Sequence, residues 1–207
     1  MYPPPAFSHK NRQDALAFIG AHPFAILAVN GEGGPATALV PLVLDETGQN
    51  LLGHVARNNP FWKAAQADGK AVAVFKGEDA YISPSSYPSK AEHGRAVPTW
   101  NYKAVEIRGM LTLETDPQAV QPYLTAITGK METSRETPWQ VTDAPDNYIA
   151  KLSRAIVGFS LKIDDITYVK KLSQNKSAAD KAGVVQALEN STKHSERQMA
   201  HEMTNKD

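Results

Sequence analysis

The amino-acid sequence predicts a mainly β protein with short helices, folded as an antiparallel barrel. About six segments have the hydrophobic pattern of strands, and the helices between them are short and scattered. Strands seldom alternate with helices along the chain, which favours this fold class over a doubly wound parallel sheet. Residues 105–113 and 157–163 alternate apolar and polar side chains, and this pattern is typical of long strands with one buried face.

The first 82 residues predict a helix followed by strands. A helix is expected over residues 10–19, because Ser8 or Asn11 stands near its start and Gly20 and Pro23 follow its end. A short helix is expected after Asn59-Pro60, ending at Asp68-Gly69. Strands are expected over residues 24–29, 36–44, 51–56 and 71–75, the last resuming at residues 80–82 after Gly77.

The rest of the chain predicts a loop, two strands and three helices. Residues 83–98 contain three prolines and are expected to form a long loop, a feature that is often functional. Helices are expected over residues 117–128, 146–153 and 178–188, and the last strand continues to about residue 170. Residues 191–207 are almost wholly polar and are expected to form a frayed helix or a disordered tail. The sequence therefore predicts one domain over residues 1–190 and a polar C-terminal tail over residues 191–207.

The composition excludes several classes of function. The 207 residues include no cysteine, so thiol catalysis, Cys-ligated zinc and iron–sulfur clusters are excluded, and no histidine shows the spacing of a metal ligand. No apolar run approaches the roughly 20 residues of a membrane span, and no signal peptide is apparent, so a cytoplasmic protein is expected. Lysine plus arginine equals aspartate plus glutamate at 22 each, without the basic excess of many DNA-binding proteins, although a local basic patch is compatible with this sum.

The first polar cluster lies where residues 51–56 end and the next short helix begins. It contains His54, Arg57, Asn59 and Lys63. Backbone N–H groups at a helix start, with an arginine before them and a lysine one turn later, favour binding of a phosphate group. Alternatively, Asn59 is only a helix cap and Arg57 a solvated surface residue.

Two further clusters follow predicted strands. The first combines Ser83 with Thr99, Trp100 and Asn101, and such aromatic and amide groups suit a flat ligand with polar edges. Alternatively, Trp100 is an ordinary strand residue that packs at a barrel rim. The second cluster, directly after the last strand, either forms a polar turn or donates hydrogen bonds to a heterocycle; it contains Lys171, Gln174 and Asn175.

Short runs along nearly the whole chain match one known family in the expected order. The runs after residue 90 are Val97-Pro98-Thr99-Trp100-Asn101-Tyr102, Ala155-Ile156-Val157-Gly158-Phe159 and Lys171-Leu172-Ser173-Gln174-Asn175-Lys176, with Asp180, Gly183, Val184 and Leu188. The earlier runs are Met1-Tyr2-Pro3 with Phe7, His54-x-Ala56-Arg57-x-Asn59-Pro60 and Phe75-x-Gly77-x-x-Ala80-Tyr81-Ile82-Ser83-Pro84-x-x-Tyr87. The sequence thus resembles the PaiB family of bacterial negative transcriptional regulators.

The resemblance implies a flavin-reductase-like split β-barrel that binds flavin mononucleotide (FMN), working as a homodimer with FMN near the subunit interface. It assigns the FMN phosphate to Arg57, Asn59 and Lys63. It also implies an isoalloxazine pocket, with His54 and Ser83 as further candidates for the site. The implied pocket residues are Thr99, Trp100 and Asn101, faced across the interface by Lys171, Gln174 and Asn175.

Four positions depart from the family's pattern. Asn58 replaces a small residue and Glu78 replaces a common proline. Ser86 stands where tryptophan is frequent and Glu106 where histidine is frequent. The last two changes fall near the implied ring pocket, so they bear on ring stacking and proton transfer rather than on the fold.

Three functions are compatible with this sequence. The first is a regulator in which FMN shifts a dimer between states and alters transcription, through DNA or through a regulatory protein partner. The second is a flavin-dependent oxidoreductase, or a haem-binding or haem-degrading enzyme, on the same fold. The third is a protein that holds FMN without turnover.

Overall fold

The computed structural model describes residues 1–205 and consists mainly of antiparallel β-sheet with short helices. The strands are β1 (Ser8–His9), β2 (Phe24–Gly31), β3 (Gly34–Pro41), β4 (Val43–Leu44), β5 (Asn50–Ala56), β6 (Lys70–Ile82), β7 (Thr99–Glu114) and β8 (Ile156–Lys171). The helices are α1 (Arg12–Ala21), α2 (Phe61–Ala65), α3 (Ser89–His93), α4 (Gln121–Glu132), α5 (Asp146–Ser153), α6 (Ala178–Glu189) and α7 (His194–Thr204). Short 3-10 turns cover Pro5–Phe7, Pro84–Ser86 and Val141–Asp143.

The strands form one sheet in the order β3-β2-β6-β7-β8-β5-β4, and β1 pairs with β8. Strand β2 pairs antiparallel with both β3 and β6, and β5 pairs antiparallel with both β4 and β8. A turn of Glu32 and Gly33 joins β2 to β3, and Gly34 has a φ of 114°, which favours glycine. This antiparallel arrangement agrees with the predicted class.

The chain divides into two compact units. The terminal unit comprises Met1–Lys10, Lys76–Val105 and the described part of Thr167–Asp207, and the central unit comprises Asn11–Phe75 and Glu106–Ile166. The core of the terminal unit consists mainly of Ala80, Ile82, Tyr87, Val184, Leu188, Met199, Ala200 and Met203. The core of the central unit includes Ile19, Leu27, Leu42, Leu51, Phe61, Phe75, Ile107, Phe159 and Leu161.

Helices α1, α5 and α6 lie where they were predicted. The Asn11 side chain accepts the backbone N–H of Gln13 at 2.9 Å, so it caps α1. Helix α4 begins later than predicted, because the Asp116 carboxylate accepts the N–H of Gln118 in a turn that precedes it.

Two predicted strands have different limits. Strand β6 continues through Gly77, and the predicted strand over residues 36–44 is interrupted at Leu42, whose N–H donates to the carbonyl of Pro23 at 2.8 Å. The expected loop over residues 83–98 contains a 3-10 turn and helix α3, and β7 begins directly after it at Thr99.

The C-terminal segment is helical, with a buried face. Met199, Ala200 and Met203 are buried at the spacing of one helix face. Helix α7 therefore packs into the core of the terminal unit and is neither frayed nor disordered. Residues 206 and 207 of the predicted tail lie outside the described residues. The division of the chain at residue 190 stays a prediction.

Among the described residues, no helix combines the length and apolar character needed to span a membrane.

We expect Gly109→Ala to destabilise the protein by about 3 kcal/mol or more. A Cβ at Gly109 would lie 1.7 Å from the carbonyl oxygen of Lys162, a backbone atom of β8 that cannot easily move. The measurement is the free energy of unfolding in denaturant.

Gly20→Ala is the matched control for this substitution. A Cβ at Gly20 meets nothing within 4 Å, and the residue lies inside α1, so alanine should raise stability by about 0.5–1 kcal/mol. Equal stability of the Gly109→Ala variant and the wild type would contradict the close approach of these two strands.

Candidate functional site

In the central unit, the predicted phosphate cluster lies at the end of β5. The guanidinium of Arg57 donates from Nε to the carbonyl of Arg154 at 2.8 Å, and from Nη2 to the carbonyls of Thr115 at 2.8 Å and Ile156 at 2.9 Å. Within the described residues, Nη1 makes no hydrogen bond. Arg57 is therefore first a clamp on three backbone segments, and one nitrogen remains for a ligand.

The turn after Arg57 is fixed by its own side chains. The Asn59 Oδ1 atom accepts the N–H of Phe61 at 3.0 Å, as the capping alternative expects, and Trp62 Nε1 donates to the Arg57 carbonyl at 2.8 Å. Lys63 is exposed, and its Nζ lies 5.8 Å from the centre of the Trp62 ring. The Lys63 ammonium is thus available to an anion, whereas the Asn59 oxygen is already used.

His54 carries a polar atom without a partner. Its side chain is partly buried on β5, and its Nδ1 atom is buried and makes no hydrogen bond within residues 1–205. Burial lowers the pKa of His54, so the neutral ring is favoured. An unpaired buried nitrogen costs about 1–3 kcal/mol, which a bound ligand could recover.

In the terminal unit, three predicted residues, Thr99, Asn101 and Lys171, bond to one another or to neighbouring side chains. Lys171 Nζ donates to Thr99 Oγ1 at 2.5 Å. Asn101 is fully buried, and its Nδ2 donates to Ser173 Oγ at 2.9 Å and to Met203 Sδ at 3.3 Å. Burial, together with the nearby positive charge of Lys176, lowers the pKa of Lys171.

Ser173 lies beside the predicted residues of the terminal unit, although the sequence did not single it out as a candidate. It is buried, bonds the Asn101 amide, and has a φ of 61°, an uncommon conformation for a residue with a side chain. The adjacent Gln174 closes this turn, since its Oε1 accepts the N–H of Leu172 at 2.6 Å and its Nε2 donates to the carbonyl of Lys170 at 2.5 Å. The only sequence signal is that Ser173 lies inside the polar run that follows the last strand.

The remaining predicted residues lie at the surface of the terminal unit. Trp100 is 53 % exposed and forms an edge-to-face pair with Tyr81 at a centroid distance of 6.0 Å. The Ser83 Oγ atom accepts the N–H of Ser85 at 3.2 Å, so it caps a 3-10 turn. Asn175 is exposed in the turn after β8.

The departures at Ser86 and Glu106 lie in two different environments. Ser86 lines an open groove of about 830 Å³ in the terminal unit, together with Tyr87 and Gln186. Glu106 is buried in the central unit and accepts a hydrogen bond from Arg108 Nε at 2.9 Å. An ionised carboxylate held by arginine accepts hydrogen bonds but donates none, whereas the histidine that is frequent at this position can donate one.

A second feature of the central unit is an open cavity of about 500 Å³, within the range of small-molecule sites. Lys70 and Arg108 line it, and so do Asn30 and Asp164. The cavity therefore offers two cationic side chains that the sequence reasoning did not select. The alternation along β7, which turns Arg108 to the surface, was the available signal.

Comparison with known proteins decides the family. Residues 1–165 match the family model described as "Putative FMN-binding domain". The chain belongs to this FMN-binding family. FMN is accordingly its cofactor, and the resemblance to the PaiB family is confirmed.

Two curated proteins are similar to this chain in sequence. The chain is 32 % identical over 209 residues to protease synthase and sporulation protein PAI 2 of Bacillus subtilis, covering all of this chain and 98 % of that protein. It is 33 % identical over 177 residues to an uncharacterised protein of Aspergillus fumigatus, covering 70 % and 68 % of the two chains.

Solved structures of other proteins have the same fold. The FAD and haem binding protein from Mycobacterium smegmatis superposes with a TM-score of 0.62 at 15 % identity, covering 84 % of this chain and 78 % of that chain. The flavocytochrome Anf3 from Azotobacter vinelandii gives a TM-score of 0.57 at 14 % identity, covering 79 % and 69 %. These similarities confirm the predicted split-barrel fold class.

The residues described above fit FMN chemically. An anionic phosphate needs cations and donors, and the central unit offers the Lys63 ammonium and the Arg57 Nη1 atom. A planar heterocycle needs hydrogen bonds at its edge, and the unpaired His54 Nδ1 atom, the Thr99 hydroxyl and the Lys171 ammonium are groups of this kind.

We expect Arg57→Ala to lower the free energy of unfolding by about 2–3 kcal/mol, because three backbone carbonyls lose a charged donor. Arg57→Lys should cost nearly as much, since an ammonium cannot reach the three carbonyls as a planar fork does. Chemical denaturation of the FMN-free protein measures both effects.

Lys63→Ala serves as the control, because this exposed side chain should change stability by no more than about 0.5 kcal/mol. If Arg57→Lys is as stable as the wild type, Arg57 acts through charge alone and the clamp is not important for the fold.

Proposed function

We propose that this protein is an FMN-binding negative transcriptional regulator that acts as a homodimer. The observation that carries the proposal is the similarity to protease synthase and sporulation protein PAI 2, which extends over 98 % of that protein at 32 % identity. This similarity also covers helices α6 and α7, which follow the residues matched by the FMN-binding family model. It therefore extends beyond the FMN-binding domain.

In this proposal, the central unit holds the FMN phosphate through Lys63, the Arg57 Nη1 atom and backbone N–H groups near Asn59. His54 Nδ1 would gain its missing partner from the same ligand. Bound FMN supplies a planar ring that absorbs visible light and accepts electrons.

The terminal unit carries a second group of candidate residues, which suit a flavin ring. Thr99 and Lys171 would donate to the ring edge, and Trp100 would cover a ring face, with Gln174, Asn175 and Ser83 at its rim. Asn101 is fully buried, so it is a positioning residue that holds Ser173 rather than a contact.

The homodimer is supported by an apolar sheet face in the central unit. On β2, Phe24 and Ile26 are 63 % and 48 % exposed, and on β3, Leu39 is 66 % exposed. Ile26 lies directly opposite both Leu39 and Val74, so these side chains form one continuous surface. Exposed apolar surfaces of this kind are typical of interaction sites.

A second copy of the chain suits this face best. A two-fold dimer brings the same patch of each subunit together, and an apolar patch is complementary to itself. The charged residues lie at its edge, where Lys70 opens β6 and lines the cavity of about 500 Å³. This arrangement of an apolar centre and a polar rim is that of a protein interface.

We expect the wild type to be a yellow dimer and Ile26→Glu to be a monomer, because two glutamates would be buried against each other at the centre of the face. With FMN near the interface, this variant should also bind FMN at least about tenfold more weakly. Analytical ultracentrifugation measures the mass, and titration followed by visible absorbance measures FMN binding.

Met131→Glu is the control, because Met131 is also exposed in the central unit but lies on α4 and not on β2 or β3, so both properties should stay unchanged. A dimer that survives Ile26→Glu would show that another surface pairs the subunits. A colourless wild-type protein that takes up no FMN would refute the proposal of an FMN-dependent regulator.

The regulatory role predicts that deletion of the gene raises a defined set of transcripts in the source organism. A wild-type copy should restore their repression, and an Ile26→Glu copy, present in equal amount, should not. RNA sequencing measures the change. Unchanged transcripts in the deletion strain would refute the regulatory role while leaving FMN binding intact.

A further inference from the structure

Helices α6 and α7 form a two-helix element in the terminal unit. Only four residues, Asn190 to Lys193, separate the end of α6 at Glu189 from the start of α7 at His194, and the two helices pack against each other. Helices joined by turns of three to four residues are a common way to present a helix to the DNA major groove. Both helices lie beyond the residues that match the FMN-binding family model.

The buried side of α7 fixes this helix on the unit. Met199 and Met203 lie in the core, and Met203 Sδ also accepts a hydrogen bond from Asn101. Glu202 accepts from Lys103 Nζ at 2.5 Å. These contacts hold α7 as a rigid support for the residues on its opposite side.

The exposed side of α7 has a consistent chemical character. His194, Arg197, Gln198 and His201 are exposed at the spacing of one helix face. These side chains donate hydrogen bonds, and none carries a negative charge. Arg197 uses Nη1 for the carbonyl of Ser191 at 2.7 Å, and Nε and Nη2 make no hydrogen bond within residues 1–205.

The acidic residues of α7 are neutralised by the protein itself. Glu196 accepts from Ser191 Oγ at 2.5 Å and from Lys193 Nζ at 2.9 Å, and these bonds lower its pKa. Glu202 is held by Lys103, as described above. Both carboxylates of α7 are therefore bonded to other groups of the protein, and the four side chains of its exposed face are neutral or cationic.

The charge of the two units differs, although the whole chain is neutral. Among the described residues, the terminal unit carries eleven lysines and arginines against seven aspartates and glutamates, and the central unit carries ten against fourteen. In the terminal unit, Lys90, Arg95 and Lys181 make no ion pair within residues 1–205. A positive unit that carries a donor-rich helix is electrostatically complementary to nucleic acid.

We propose that the exposed face of α7 docks on duplex DNA, with Arg197 and Gln198 at the centre of the contact. Arginine and glutamine are side chains that bind guanine and adenine edges or phosphate oxygens. This inference rests on the proposed regulatory function, for which it names the partner and the surface. A homodimer would present two such helices, as proteins that bind symmetric operators do.

The test is a salt titration of DNA binding by the FMN-loaded full-length protein. The probe is a fluorescent duplex of the region upstream of the protein's own coding sequence, and fluorescence anisotropy reports the affinity. The affinity of the wild type should fall as salt rises, because contacts with phosphates release counterions. Arg197→Glu should weaken binding at least about tenfold at low salt.

Two further variants make the result specific to α7. Gln198→Glu places a negative charge on the same exposed face and should also weaken binding, even if Arg197→Glu folds poorly. Lys130→Glu makes the same charge change as Arg197→Glu on an exposed position of α4 in the central unit, and it should bind like the wild type.

The DNA contact is refuted if the wild type does not bind the duplex at low salt, or if Lys130→Glu weakens binding as much as the two α7 variants. Failure here is distinguishable from failure of the proposed function. If a strain that carries Arg197→Glu still represses the target transcripts, the regulatory function stands and the proposed α7 surface is wrong. Unchanged transcripts after gene deletion would instead refute the regulatory function itself.

Discussion

The carbonyl groups at one end of the central unit's strands need hydrogen-bond donors, and the guanidinium of Arg57 provides them. Its two donating nitrogens join the turn after β5 to the residue that follows β7 and to the start of β8. The bond to the Ile156 carbonyl is partly buried, and a buried carbonyl without a donor is costly, so the start of β8 must keep its position beside Arg57. The same clamp places His54 and Lys63, the groups available to a phosphorylated ligand, on a fixed support.

The terminal unit follows the same principle with neutral groups. Ser173 and Asn101 bond each other in the core, and the thioether of Met203 accepts the second amide hydrogen. One buried amide thus joins β7, the turn after β8 and helix α7. Since Thr99 and Lys171 lie on the same two strands and bond each other, the proposed ring pocket and the C-terminal helix share one support.

Local chemistry explains which features were predictable. Helix α1 follows from the Asn11 cap, and the antiparallel sheet follows from alternating side chains. The partners of Arg57 lie 58 to 99 residues away, so no local pattern reveals its clamp. The sequence allowed a helix over the C-terminal segment but not its buried face, because only Met199, Ala200 and Met203 form that face within a polar stretch. The two groups of candidate site residues were selected from polar clusters and family motifs and stay predictions, whereas the burial of Ser173 required the structure.

The separation of roles on α7 has a consequence for substitutions in this helix. Met199 and Met203 face the core, whereas His194, Arg197, Gln198 and His201 contribute little to it. Exchange of the outer four side chains therefore costs the fold almost nothing. If α7 contacts DNA as proposed, a few substitutions on this outer face would alter the target without unfolding the chain, whereas truncating Met199 or Met203 would destabilise the core.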